Sequence, residues 1–348
     1  MPSPRGFYET PSTLFFMTYK IRKRIMQIPS ARSGRSWLKR VKFKKHDNIS
    51  LYRFLKSFFY NIQEDEIMDR SNGVAFNFIL AIFPTIIFLF TLIPYISKYF
   101  PDINKDTIMS FMGDLLPTSM YQVFSATILD IISNQRGGLL TFGFVLAVFL
   151  ATNGMMTLMR AFNACYRTVE KRNWFRMRFI ASWLTLFLAV VLFSATALLV
   201  VGQLLLNKIT VDVSELSHFR LDHYTIYFLL LLRFVVIFIV FFIAISFIYY
   251  FGPAVHYNWH FFSIGSFVAT LGCLGISYGF SYYVSNFASY NKVYGSIGTL
   301  LALMVWVQLL TAVLLFGYEI NASLHYVRKV EAIDAHRRKK RIEKAMRP

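Results

Sequence analysis

Charge is what this chain has least of. Only 16% of its 348 residues are Asp, Glu, Lys or Arg, against roughly 25% in a soluble domain. The deficit is concentrated. Several blocks of about 20 residues or more carry almost no charge, the length that crosses a hydrocarbon core of ~30 Å. That excludes an ordinary water-soluble domain and points to a polytopic membrane protein. Cysteine is nearly missing too. With only Cys165 and Cys273, neither a disulfide framework nor a thiolate metal centre is expected, and both read as packed apolar side chains. No GxxxxGK[ST] loop is present, which argues against a nucleotide-driven pump. No Ser/His/Asp constellation stands out. His256 and His260 in HYNWH are four apart, yet no glutamate follows His256 and no third ligand is near, so the zinc-protease pattern is missing. No catalytic residue, metal ligand or cofactor is assigned, and an enzyme is not expected. The apolar run Leu14–Met17 is too short for the core of a signal peptide, so a cleaved leader is not expected either.

What is present is an abundance of apolar and positively charged residues. The sequence is 56% hydrophobic and 18% aromatic, and its formal charge is +19. The periodicity and the apolar blocks predict an all-α protein. Its six spans fall at about 74–97, 139–161, 179–206, 226–250, 261–286 and 296–318. A basic arm, residues 1–49, precedes the membrane domain at 50–326, and a basic tail, 327–348, follows it.

The positive charges cluster in KIRKR at Lys20–Arg24, in KRVKFKK at Lys39–Lys45, between spans two and three (Arg167, Lys171, Arg172, Arg176, Arg178) and in RRKKR at Arg337–Arg341. The other loops are poor in them. This asymmetry places both termini in the cytoplasm. The excess charge then serves topology and attraction to anionic lipid headgroups, and nucleic acid is not expected as a partner.

Three amphipathic helices are predicted outside the spans. After a capping Ser50, residues Leu51, Phe54, Leu55, Phe58, Phe59 and Ile62 recur on one face, as in a helix lying in the membrane interface. The long outer loop, about 98–138, holds two apolar stripes separated by Pro117. Span five carries Gly265, Ala269, Gly272, Gly275 and Gly279. Gly275 and Gly279 fit the small-xxx-small pattern that lets helices approach closely. The helices could meet within one chain or in a homo-oligomer.

Polar groups inside the apolar runs are the candidate functional residues, because a charge at mid-membrane costs ~2.5–3.5 kcal/mol even on the mildest scale. Span direction sorts them into two levels. Asn77, Arg160, Asn163, Glu319 and Asn321 gather toward the cytoplasm and suggest an inner gate of a solute pathway. Arg233, Asn286, Tyr290, Asn291, Lys292 and Tyr294 gather toward the outside and suggest its outer mouth. The competing reading is structural, with Arg160 and Glu319 forming one ion pair and the asparagines bonding between helices.

Four stretches resemble the YihY/BrkB family of bacterial inner-membrane proteins. They are DRSNGVAFNFILAIFPTIIFLFTLIP at Asp69–Pro94, NGMMTLMRAFNACYRTVEKRNWFRMR at Asn153–Arg178, YVSNFASYNKVYGSIGTLLALMVW at Tyr283–Trp306 and LLFGYEINASL at Leu314–Leu324. The resemblance covers about 50–327. It implies a six-helix, multi-pass protein of the bacterial inner membrane. It also implies a transporter or permease of a solute or lipid that is not identified. The family has also carried a transfer-RNA-processing ribonuclease label. The scattered acidic residues of this chain argue against that chemistry, which needs carboxylates and histidines converging on hydrated metal. A non-transporting scaffold for envelope integrity or resistance is the alternative, with the basic arm and tail as its working parts.

Overall fold

The computed structural model describes residues 42–43, 49–64, 66–99, 105–115, 118–166, 168–215, 223–254, 260–286 and 289–345. Apart from one two-residue antiparallel pairing, Lys42–Phe43 (β1) with Ile49–Ser50 (β2), the described chain is helical, as the apolar periodicity predicts. The helices are α1 (Leu51–Glu64), α2 (Ile67–Ile96), α3 (Lys105–Leu115), α4 (Thr118–Ser133) and α5 (Gly137–Cys165), then α6 (Trp174–Glu215), α7 (His223–Phe251), α8 (Ile264–Asn286) and α9 (Ser289–Ala345). Six of them, α2 and α5 to α9, contain segments long and apolar enough to cross a membrane.

Each of these six lies on a predicted span, but helix and apolar block are not the same length. Backbone hydrogen bonding continues past the hydrocarbon as long as the sequence does not stop it. α2 therefore begins at Ile67 rather than near residue 74, and α9 runs on through the basic tail to Ala345. The two outer-loop helices appear as α3 and α4, separated at Pro117, as expected of a proline at a helix boundary.

The chain divides into two compact units. In the first, α1 as far as Asn61 groups with the last part of α9 from Ser323. Arg53 Nη1 meets Glu331 Oε1 at 2.8 Å, and the Asn61 amide donates to the Ser323 hydroxyl at 3.1 Å.

The second unit, Ile62–Ala322, contains the bundle. α2 packs on α5, α5 on α6, α6 on α7 and α7 on α8, while α4 packs on α2 and α3 on α4. Its core is Val74, Met155, Leu158, Met159, Phe162, Ala181, Leu184, Ile248, Tyr249, Leu315 and Tyr318, with others around them. Glycines set two of the crossings. A Cβ on Gly154 would strike the Phe78 ring at 2.8 Å, so α5 and α2 touch there. A Cβ on Gly317 would meet Ala269 Cβ at 2.6 Å and the Tyr249 hydroxyl at 2.7 Å, so α9 crosses α8 and α7 at that point.

The outward faces of the spans are apolar. Phe142, Leu186, Phe193, Leu231 and Tyr278 are exposed. In a soluble monomer such a surface would be anomalous; against lipid it is required. Span threonines return their hydroxyls to their own helix, as Thr152 does to the Val148 carbonyl at 2.8 Å and Thr270 to that of Ser266 at 2.7 Å, so they need no partner across helices.

Candidate functional site

The end of the bundle that carries the basic loop holds two hydrogen-bonded constellations. The first closes the C-terminus of α5. After Cys165 the chain folds back, with Thr168 N–H donating to the Asn163 carbonyl at 2.8 Å. The following loop brings Glu170 and Arg172 together. Glu170 Oε1 accepts from Arg172 Nε at 2.8 Å and from its backbone N–H at 3.0 Å. Oε2 accepts from Arg172 Nη2 and from Asn163 Nδ2, both at 2.8 Å. Arg172 Nη2 also reaches the Gly252 carbonyl at 2.9 Å, just past the end of α7. The last carbonyls of a helix have no intrahelical donor, and a cationic side chain is a favourable cap for them. Asn163 Oδ1 accepts the Ala254 N–H at 2.7 Å. One asparagine and one ion pair thereby join the ends of α5 and α7 to the start of α6.

The Arg172 guanidinium holds the Glu170 carboxyl below its ordinary value of 4.5. A carboxyl that is more acidic in the folded state stabilises the fold above the ordinary carboxylate range. That contribution is lost as pH falls through the lowered value. Melting temperature should therefore hold steady from neutral pH down to about 5 and then fall. Arg172→Ala should lower stability by about 2–3 kcal/mol at neutral pH, since it strips Glu170 and the α7 terminus together. It should also flatten the acid limb. Thermal melts of both proteins at pH 7, 5 and 4 check this. An unchanged acid limb in the variant would remove the ion pair from the account.

The second constellation opens α8. Ser263 is its N-cap. Ser266 N–H donates to Ser263 Oγ and Ser263 N–H donates to Ser266 Oγ, each at 3.1 Å, a reciprocal arrangement of the capping-box kind. Asn321 on α9 adds to it, accepting Gly265 N–H at 2.9 Å and donating to Ser263 Oγ at 2.8 Å. Ser246 of α7 donates to Ser266 Oγ at 3.0 Å in a fully buried contact. Three helices are bonded at this point.

An aromatic trio lies in the same core. Phe162 stacks on Tyr318 with centroids 4.4 Å apart, and Tyr249 meets both rings edge-on at 5.4 Å. The Tyr249 hydroxyl donates to the Leu314 carbonyl at 2.5 Å. Directly after Tyr318 comes Glu319, with 0% of its surface exposed.

The structure thus buries Asn163, Glu319 and Asn321 of the inner set, and the trio links the α5 end that carries Asn163 to the α9 stretch that carries Glu319 and Asn321. It does not bring in the other two. Asn77 is half-buried and donates to the Gly73 carbonyl of its own helix at 2.8 Å. Arg160 is exposed, and no ion pair joins it to Glu319 among the described residues. The suggested Arg160–Glu319 pair is therefore absent. α5 turns Leu158, Met159 and Phe162 inward, which leaves residue 160 on the flank. Of the outer set, Arg233 is half-buried on α7. The side chains of Asn286, Tyr290, Asn291, Lys292 and Tyr294 lie outside the described residues.

Sequence reasoning missed Ser246, Tyr249, Ser263, Ser266, Glu170, Arg172 and Tyr318. A signal existed for some of them. Ser-x-x-Ser ahead of an apolar run is a helix-start pattern, and Glu-x-Arg inside a loop can close on itself. The sequence reading takes Arg172 only as a topology charge and places Ser263 and Ser266 inside span five without a role. Among the described residues no three His, Cys, Asp or Glu side chains gather as a metal-binding group.

Comparison with known proteins places this architecture. The chain is 30% identical over 150 residues to ribonuclease-like protein YfkH of Bacillus subtilis (strain 168), an alignment covering 43% of this chain and 53% of the relative. The chain thus spans about half the length of that curated relative. No solved structure matches it. A family model described as virulence factor BrkB matches residues 58–343, which takes in all six apolar helices and both polar constellations. The chain is a member of the BrkB virulence factor family.

Proposed function

We propose that this protein is a transporter or permease of the bacterial inner membrane, carrying a solute or lipid whose identity is open, with both termini in the cytoplasm. The observation that carries the reading is Glu319. It is a carboxylate on a span-forming helix with none of its surface exposed, set in the sequence between a stacked tyrosine and the Asn321 junction. Burying a carboxylate costs several kcal/mol, about the value of a fully buried large apolar side chain, unless something compensates. Leucine would fill the space without that cost. Intramembrane ionisable groups are for this reason default markers of substrate or ion routes.

The name of the Bacillus relative raises hydrolysis of RNA as a second class of activity. The carboxylates at this end do not suit it. Glu170 is committed to Arg172 and Asn163, and Glu319 is sealed from water, whereas a hydrolytic metal needs carboxylates open to solvent.

Purified protein reconstituted in vesicles should move at least one member of a broad solute and lipid library faster than protein-free vesicles. Silence across the library from a monodisperse, folded protein would sink the transport reading. Weight would then pass to the scaffold, for which removal of residues 1–45 should abolish the cellular phenotype.

A further inference from the structure

Between α5 and α6 the chain from Val169 to Asn173 runs without regular structure, and its exposure alternates. Val169, Lys171 and Asn173 are exposed, Val169 over 76% of its surface, while Glu170 and Arg172 turn inward. Alternation of that period belongs to an extended segment lying on a surface. Among the described residues no backbone hydrogen bond ties this segment to α7. The links to the end of α7 pass through two side chains instead, Arg172 to the Gly252 carbonyl and Asn163 to the Ala254 N–H. One carboxylate aims both. Glu170 takes Nε and Nη2 of Arg172, which fixes the guanidinium with Nη2 toward Gly252. Its Oε2 also holds Asn163 Nδ2, which turns Asn163 Oδ1 toward Ala254.

The neighbouring seam is of a different kind. α8 meets α9 backbone to backbone at Gly265 and Gly317, and the Ser246–Ser266 contact beside it is fully buried. No side chain there can swing aside, and a packed core does not deform gradually. At the α5–α7 seam the side chains of Arg172 and Glu170 keep 11% and 22% of their surface exposed. Water can take over their hydrogen bonds when they part, so opening costs less than at a dry junction, where the separated groups would stay unsatisfied. Phe162 lies directly inside. It precedes Asn163 in sequence and stacks on Tyr318, so withdrawing the end of α5 carries its ring off Tyr318 and Tyr249.

We propose that residues 168–173 form a strap that closes the inner end of the bundle by holding α5 to α7, with Glu170 as its release point. Loss of the Glu170 contacts frees Arg172 and Asn163 together, so both links to α7 break as one. The end of α5 then parts from α7, and the core beside Tyr318 and Glu319 opens to the cytoplasm. The end of α7 suits such an event. Gly252 is followed by Pro253, which has no N–H to continue a helix, so α7 stops at the same place with the strap closed or open. As a step of a transport cycle the strap rests on the transport reading; as a local opening it is measured without any solute.

Cys165 ends α5, two residues beyond Asn163, and is 5% exposed. With Cys273→Ala it is the one remaining thiol. Its rate of reaction with N-ethylmaleimide, followed by intact mass on the full-length protein in detergent, reads how often the end of α5 opens. Glu170→Gln loses the charge-assisted fork and should raise that rate about tenfold. Asp130→Asn breaks the Arg136 ion pair just before the other end of α5 and should leave the rate at the parent value. The faster reaction should stay constant in urea below the unfolding transition, because a local opening exposes little surface. A parent-like rate in Glu170→Gln would overturn the strap. A rate that climbs with urea would trace the exposure to global unfolding and overturn it too, leaving Glu170 and Arg172 as a static cap. Should Glu170→Gln misfold, Arg172→Lys, which keeps the charge and loses the fork, gives the same decision. Fast labelling without flux in vesicles would leave the strap standing and count against the transport reading, whereas flux with unchanged labelling would sink the strap alone.

Discussion

Gly265→Leu should leave little folded protein. A Cβ at residue 265 already lands well inside contact distance of the Gly317 carbonyl oxygen and 2.6 Å from Asn321 Oδ1. Neither neighbour can yield cheaply. The first is backbone of α9, and the second is the acceptor for Gly265 N–H itself. A leucine must therefore push α8 off α9. That breaks the Asn321 junction, exposes Ser263 and Ser266, and pulls Tyr249 from the Leu314 carbonyl. Overpacking alone costs about 1–3 kcal/mol; with the hydrogen-bonded junction lost as well, the total is on the order of 4 kcal/mol or more. Monodisperse yield in detergent should collapse, and any surviving protein should melt about 10 °C lower. Gly275→Ala is the matched control. Nothing lies within 4 Å of a Cβ there among the described residues, and alanine is the better helix former, so stability should hold or rise slightly. If Gly265→Leu melts like the parent, α8 and α9 do not cross at this pair of glycines.

That contrast shows what the sequence could and could not reveal. The membrane spans were legible because an apolar run of span length admits few other readings. The small-xxx-small spacing pointed to Gly275 and Gly279, yet the contacts lie at Gly265 with Gly317 and at Gly272 with Val313. All of these α8 glycines lie near one face, and the spacing is blind to where along its length a helix meets its partner. The inner polar residues were legible as a level but not as a site. Arg160 and Asn163 are one helical turn apart, about 60° in rotation. That is enough to put one on the flank and the other under the folded-back loop that ends in Glu170 and Arg172. Direction of span gives depth; only packing gives rotation. The capping pair Ser263 and Ser266 lay just inside the predicted start of span five, where serine is easily dismissed as loop. Its role depends on Ser246 and Asn321, on helices seventeen and fifty-five residues away in sequence from that pair.

Glu319→Gln separates the transport reading from a purely structural one. Glutamine keeps the size of the side chain and one acceptor oxygen, so it preserves packing against its neighbours on α9. It cannot carry a charge or exchange a proton. A glutamate retained only for shape or hydrogen bonding should accept the change with little loss, within about 1 kcal/mol of stability, and should leave any flux intact. A glutamate that neutralises a passing cation, or gives up and regains a proton during the cycle, should lose flux by about a hundredfold or more while the protein still folds. The larger loss follows because a buried charge acts at low dielectric, where removing it weakens each interaction it makes by several kcal/mol. Arg160→Ala measured beside it should transport normally, since that side chain lies on the flank of the bundle. Flux that survives Glu319→Gln would show that the sealed carboxylate is structural. Flux lost equally in Glu319→Gln and Arg160→Ala would restore the inner gate suggested by span direction and count against the placing of Arg160 on the flank.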